Sequence, residues 1–280
     1  MKTALLTALA MVAFAANSLL CRQALGAELI DAASFTVIRV AAGALTLGLL
    51  MLPTWRQSAP RPHWPSAWML FFYMVFFSFA YLSLSAGTGA LLLFGAVQVT
   101  MFTAALRDGE HFSPASWFGL LAALAGMVYL VSPGITAPEP AGAALMVCAG
   151  IAWGGYSLLG RGVRDATGAT ASNFLFCLPL AMLTGAFFIG SARVTGTGMI
   201  LAIASGALAS GLGYAIWYAA LRGLQAGRAA TVQLSVPVIA AIGGVVFLAE
   251  EMTFRLGLAT ALTIGGVGVV LSQRGQPAAR

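Results

Sequence analysis

Apolar residues fall along this chain in long runs, and polar positions sit between the runs rather than alternating within them. The runs lie at about 3–22, 32–52, 67–86, 88–106, 113–132, 140–160, 170–190, 199–221, 228–249 and 253–272, bounded by charges, proline or glycine. Each is close to the roughly 20 residues a helix needs to cross a hydrocarbon core. Backbone groups in lipid have to be satisfied internally, so runs of this length read as helices. The pattern predicts an all-α membrane protein of ten transmembrane helices, joined by short connections. Only Gly87 and Thr88 separate the third run from the fourth, which places the turn there.

The first run has a second reading. Lys2, the apolar stretch Ala4–Ala16 and small residues near Ala15 imitate a cleaved leader. The run continues to about Cys21, long enough to span, and it has a counterpart in the second half of the chain. It is therefore read as the first helix.

Composition supports the membrane. Of 280 residues, 60% are hydrophobic and 8% charged, with a mean hydropathy of +0.93. Soluble domains carry roughly 25% charged residues, so too few ionisable groups remain to cover a water-facing surface. The net charge of +6 does not imply nucleic acid, because the arginines stand at run ends and form no basic patch or helix. Their placement sets an orientation instead. With the N-terminus in the cytoplasm, Lys2, Arg56, Arg61, Arg107, Arg161, Arg164, Arg222, Arg228, Arg274 and Arg280 lie inside. Arg22, Arg193 and Arg255 lie outside, and Arg39 is within the second run. Both termini are then cytoplasmic, in a cytoplasmic (inner) membrane. Cys21, Cys148 and Cys177 match no zinc or disulfide spacing and read as packing residues; no metal or cofactor is implied.

The halves repeat. Ser18-Leu19-Leu20-Cys21-Arg22 returns as Ser157-Leu158-Leu159-Gly160-Arg161, Ser34-Phe35 meets Asn173-Phe174, and Tyr81 meets Tyr218. Glu110, Gly126 and Ser132 meet Glu250, Gly266 and Ser272. This divides the chain into five-helix repeats at 1–134 and 138–276. Because five is odd, the second repeat is inverted, an arrangement found in alternating-access carriers with a site near the midplane.

Two five-helix halves, Asn17 and Arg22 at the end of run one, Arg39 in run two and the glutamates Glu110 and Glu250 after runs four and nine resemble the drug/metabolite transporter superfamily, in particular its EamA-type members. Pro237 resembles a proline common in the ninth helix of that group. Within it the chain looks like the YddG-type exporters of aromatic and other amino acids. The resemblance implies export of amino acids or similar small amphipathic metabolites.

The residues set limits on mechanism. Lys2 is the only lysine, so no Walker-type phosphate loop is present and no ATPase is implied. Glu28, Asp31, Asp108, Glu110, Glu139, Asp165, Glu250 and Glu251 all lie at run ends, and His63 and His111 lie in loops. With no acidic residue at membrane depth, facilitated movement without a coupling ion is expected. Arg39 is either a counter-ion for a substrate carboxylate or a structural partner of Glu28, Asp31 or helix-end carbonyls. Tyr73, Phe77 and Tyr81 share a face of the third helix, Tyr214 and Tyr218 share a face of the eighth beside Trp217, and Trp153 and Tyr156 are three apart on the sixth. Asn17, Gln98 and Gln233 supply amides. These groups read either as interhelical hydrogen bonding or as the lining of a substrate cavity, with Tyr81 and Tyr218 as paired gates. Pro179 and Pro237 are candidate hinges. Gly257, Ala261 and Gly265–Gly268 give the tenth helix a small-residue face suited to packing between subunits, so a monomer or weak dimer is expected. Two rival functions remain with the same architecture: a translocase for lipids or sugar conjugates, and a scaffold without its own pathway.

Overall fold

Six helices in the computed structural model start on a side chain that answers their own free N–H groups. Asp31 accepts from Ser34 N at 2.9 Å, Asp165 from Gly168 N at 2.9 Å and Thr195 from Gly198 N at 3.0 Å. Ser85, Ser113 and Glu139 do the same for their helices. A polar residue at each entry is what lets an apolar run begin as a helix at a defined point. The structure describes residues 2–54, 63–109, 111–160, 163–221, 223–224 and 232–273.

Among the described residues ten helices follow one another. They are α1 (Lys2–Gly26), α2 (Ala32–Met51), α3 (Trp64–Ala80), α4 (Ala86–Arg107), α5 (Pro114–Val131), α6 (Pro140–Leu159), α7 (Ala166–Phe187), α8 (Gly196–Leu221), α9 (Ser235–Leu248) and α10 (Phe254–Gln273). Eight are long and apolar enough to cross a membrane; α3 and α9 are shorter. The turn between α3 and α4 falls at residues 81–85, ahead of the expected Gly87–Thr88, because Ser85 caps α4 through Thr88 N. Within α8, Ser205–Leu212 is wound as a π-helix.

The neighbours obey one exchange rule. α3 packs on α6 as α8 packs on α1, α4 lies against α6 as α9 lies against α1, and α3 meets α7 as α8 meets α2. α2 with α7, α4 with α9 and α5 with α10 pair with their own counterparts. Swapping α1–α5 for α6–α10 therefore reproduces the packing, and the odd helix number makes the two repeats antiparallel. Lys2 and Gln273 end on one face, called here the near face; Arg22, Tyr81 and Glu250 mark the far face.

α1, behind Lys2, is a core helix with Ala10, Ala15 and Cys21 fully or almost fully buried. α5 and α10 form a separate pair at the edge, where Gly119 and Gly266 let the backbones touch: a Cβ on Gly266 would stand 2.3 Å from the Gly119 carbonyl. That part of the small-residue face of α10 is spent inside the chain rather than between subunits. Gly257, Gly265 and Gly268 of the same helix meet nothing within 4 Å. Cys21 and Cys177 are buried, whereas Cys148 is exposed on α6.

Candidate functional site

Five helices bring polar and aromatic groups to the middle of the bundle. Asn17 and Cys21, one turn apart on α1, face the π-wound part of α8. Ser205 Oγ donates to Asn17 Oδ1 at 2.7 Å and lies 3.7 Å from Cys21 Sγ. Ser205 and Ser210 would point about 140° apart on an α-helix; the wider π turn lets both face α1 and α2. Asn17 Nδ2 also donates to Tyr73 Oη at 3.5 Å. α2 reaches this cluster closely because Gly206 has no side chain: a Cβ there would stand 2.1 Å from the Arg39 carbonyl.

Arg39 is fully buried. Its Nη2 donates to Tyr73 Oη at 3.2 Å and its Nε to Ser210 Oγ at 3.4 Å. The guanidinium carbon lies 4.9 Å from the Phe77 ring centre and 5.5 Å from that of Tyr73. Nη1 is buried with no hydrogen-bond partner. Pairing with Glu28 or Asp31, the structural alternative raised by the sequence, does not occur. Glu28 pairs with Arg193 at 3.4 Å, and Asp31 caps α2 and accepts from Arg193 N. The aromatic wall beside Arg39 is continuous: Tyr73 to Trp153 is 4.8 Å and Trp153 to Tyr214 is 5.2 Å between ring centres. Phe14 closes it by packing edge-on against Tyr214. The space left among Asn17, Tyr73, Phe77, Trp153 and Tyr214 is about 20 Å³, room for one water.

Towards the near face a second cavity of about 240 Å³ opens among the ends of α3, α6, α7 and α8. Its polar lining is one network. Tyr156 Oη donates to Thr170 Oγ1 at 3.4 Å, Asn173 Nδ2 to Tyr156 Oη at 3.3 Å, and Thr170 Oγ1 to Tyr218 Oη at 3.2 Å. Trp153 stacks on Tyr156 at 5.4 Å and 24°, so one stacked pair divides this vestibule from the central cage.

The far face is pinned shut. Arg22 Nε donates to Glu250 Oε1 at 3.2 Å, and the Glu250 carboxylate accepts from Ala86 N, the first N–H of α4, at 2.9 and 3.0 Å. Arg22 Nη1 also donates to the carbonyls of Tyr81 and Leu82. Tyr81 is fully buried and donates to the Ala86 carbonyl at 3.3 Å. Beside this latch the α1–α2 loop is clamped to the α7–α8 loop, with Thr195 donating to the Leu29 carbonyl at 2.7 Å. Partial burial raises the Glu250 pKa above the usual glutamate value despite the opposing N–H of Ala86 and the Arg22 charge. At Asp31 burial acts the same way, but the Ser34 and Arg193 N–H groups outweigh it and the pKa is lowered. Arg255 of α10 donates to the Tyr129, Leu130 and Ser132 carbonyls on the same face.

The sequence-selected residues therefore separate. Asn17, Trp153 and Tyr214 line the cage with Arg39 beside it against Tyr73 and Phe77, Tyr156 and Tyr218 line the vestibule, and Tyr81 belongs to the far-face latch. Trp217 is buried next to the cage, with its ring centre 6.0 Å from that of Phe14. Gln98 faces the α5–α10 pair instead, among Phe102, Leu120 and Val267. Gln233 is in a short helical stretch just before α9, on the near-face side. Pro179 stands inside an unbroken α7, and Pro237 is in the first turn of α9. Ser205, Ser210, Thr170 and Asn173 escaped selection as site residues, since single small polar groups in apolar runs carry no spacing signal. Of the repeat-related charges, Glu110 and Arg161 lie outside the described residues. Among the described residues no three His, Cys, Asp or Glu side chains gather as a metal site.

This architecture has known relatives. Residues 140–272, the inverted second repeat, match the EamA-like transporter family. A Pseudomonas aeruginosa protein, uncharacterized protein PA1977, is 51% identical over 280 residues, covering 100% of this chain and 98% of its own length. The second repeat, just under half of the chain, is thus similar to the EamA-like transporter family. An Archaeoglobus fulgidus protein described as an uncharacterized transporter is 24% identical over 210 residues, 72% of this chain and 74% of that protein. One crystal structure shares the fold at a TM-score of 0.65 with 22% identity, covering 97% of this chain and 99% of that one. None of these names states a substrate.

Proposed function

We propose that this protein is a facilitative carrier. It moves amino acids, aromatic ones included, or similar small amphipathic metabolites outward across the cytoplasmic membrane by alternating access. The observation that carries the reading is the unequal state of two equivalent positions. Tyr81 is fully buried beneath the Arg22–Glu250 latch, whereas its repeat counterpart Tyr218 is only half-buried and lines a cavity of about 240 Å³. Two antiparallel repeats that can exchange these states expose one central cage to each face in turn. In the sequence ten arginine or lysine residues stand at run ends on the side of Lys2 and three on the other, which supports a cytoplasmic near face.

Every described carboxylate lies at a helix end or in a loop. A substrate therefore moves down its own gradient without a coupling ion. The aromatic wall supplies apolar contact for a substrate body, and Asn17 and the tyrosine hydroxyls supply hydrogen bonds. The Trp153–Tyr156 stack has to part for a substrate to pass from vestibule to cage.

Proteoliposomes containing only this chain test the reading with a panel of radiolabelled amino acids. Saturable equilibration, accelerated by unlabelled substrate on the other side, is expected. Uphill accumulation driven by a pH gradient would overturn the facilitative mechanism. A groove of about 530 Å³ between α4, α5 and α6, lined by Val99, Thr103, Leu124 and Ile151 with Arg107 at its near end, favours the lipid-translocase rival. It shares no lining residue with the cage. Flipping of fluorescent lipid analogues without any amino-acid transport would put that rival first.

A further inference from the structure

Resting on the carrier reading, the geometry points to a negative charge as the feature that the cage recognises. We infer that Arg39 Nη1 is the docking point for the carboxylate of a monoanionic or zwitterionic substrate whose body packs against Tyr73, Trp153 and Tyr214.

The first support is the count of hydrogen-bond donors. An arginine presents five N–H donors in a planar fork. In Arg39 the Nε and Nη2 edge is held by Ser210 and Tyr73, while Nη1 is fully buried and has no partner. Buried polar groups almost always find partners, so a fully buried, unused donor on a guanidinium that packs against two residues of the cage wall, Tyr73 and Phe77, marks a ligand position. The second support is charge. The ionisable groups that act on Arg39 are the phenols of Tyr73 and Tyr214 and the thiols of Cys21 and Cys177, and none of them is a carboxylate. Of the two acids nearest in sequence on the far side, Glu28 is taken by Arg193 and Asp31 by the cap of α2. A guanidinium at this depth without a carboxylate is costly, and a substrate carboxylate removes that cost while it is bound.

The same facts limit the class. The other arginine close to the bundle interior, Arg22, is committed to Glu250 and to carbonyls of the far face. One guanidinium suits a carboxylate; a dianionic phosphate calls for more positive charge than the cage holds. Among the described residues no carboxylate lines the cage to meet an ammonium, so an amino group is tolerated, through the aromatic faces, rather than required. The repeat gives no second site, because the position equivalent to Arg39 in the second half is Leu178.

Four compounds sharing one phenyl body separate the possibilities: phenylalanine, 3-phenylpropionate, phenylalaninamide and phenethylamine. Binding to the purified full chain is followed by tryptophan fluorescence, since Trp153 stands in the cage wall, and uptake is followed in proteoliposomes. Phenylalanine and 3-phenylpropionate are expected to bind about 10- to 100-fold more tightly than the two compounds without a carboxylate, the range for losing a hydrogen bond between charged groups. Arg39→Gln is expected to abolish that preference, and Arg39→Lys to retain part of it. Equal binding of amide and acid by the unaltered protein would overturn the inference while leaving the carrier reading intact. So would an Arg39→Gln protein that still prefers the acids. Should Arg39→Gln fail to fold, the four-compound comparison in the unaltered protein decides alone. Uptake of none of the four would remove the carrier reading and this inference with it.

Discussion

Asn17 stands where α1, α3 and α8 meet, accepting from Ser205 and donating to Tyr73. Replacing it with alanine takes the acceptor from the buried Ser205 hydroxyl and leaves Tyr73 Oη with Arg39 as its donor, at a cost of about 1–3 kcal/mol. Thermal unfolding in detergent should show Asn17→Ala melting below wild type. Gly206 is tested in the same way. A methyl there would stand 2.1 Å from the Arg39 carbonyl, and forcing α2 away from α8 costs about 1–3 kcal/mol. Gly48→Ala, which meets nothing within 4 Å on α2, is the control and should leave the melting temperature unchanged; equal effects from both would refute the close-approach account. At this scale the sequence was legible where spacing carried information. Tyr73 and Phe77 fall one turn apart and do share the cage. Gln98 could not be told from Asn17, because in lipid the outward side of a helix is as apolar as the packed side and periodicity loses its meaning.

Helix ends are held by charge in this fold, and the far-face latch is the clearest case. Glu250 caps α4 from the α9–α10 loop and binds Arg22 of α1, so one carboxylate ties three elements. Its pKa is raised by burial above the ordinary glutamate value of 4.5. A proton therefore binds more tightly in the folded protein than in the unfolded chain. The stabilisation from Glu250 is complete below the ordinary value and is lost as pH rises through the raised one. Glu250→Gln, a permanent stand-in for the protonated form, should thus gain in melting temperature relative to wild type as the pH rises from the ordinary glutamate value through the raised one. A wild type that gains on the variant over that range would contradict the burial argument. Glu250→Ala, which also removes the cap, should cost about 1 kcal/mol and loosen the far face. Most helix positions could be read from apolar run length, since the bilayer dictates it. The π-wound stretch of α8 could not: Ser205-Gly206 and Ser210-Gly211 offer the small residues, but the extra residue in the turn is imposed by tertiary contacts with Asn17 and Arg39.

For the molecule as a whole, the antiparallel duplication was already visible in Ser18–Arg22 and Ser157–Arg161, and the exchangeable helix neighbours agree with it. Unreadable in the chain was the difference between the two ends, since a symmetric sequence pattern does not say which half of the cycle is more stable. Here the far face is latched and the vestibule lies on the near face. Alternating access requires the two faces to change in opposite senses. Spin-label pairs at exposed positions, Ser83 with Met252 on the far face and His63 with Val163 on the near face, report both at once by pulsed electron resonance. The background would have the three cysteines replaced. On adding phenylalanine to the protein in lipid nanodiscs, the far-face pair should lengthen in a fraction of molecules while the near-face pair shortens in the same fraction. Distances that move together on both faces, or that do not respond although phenylalanine binds, would contradict a single cage shared between two exchanging repeats.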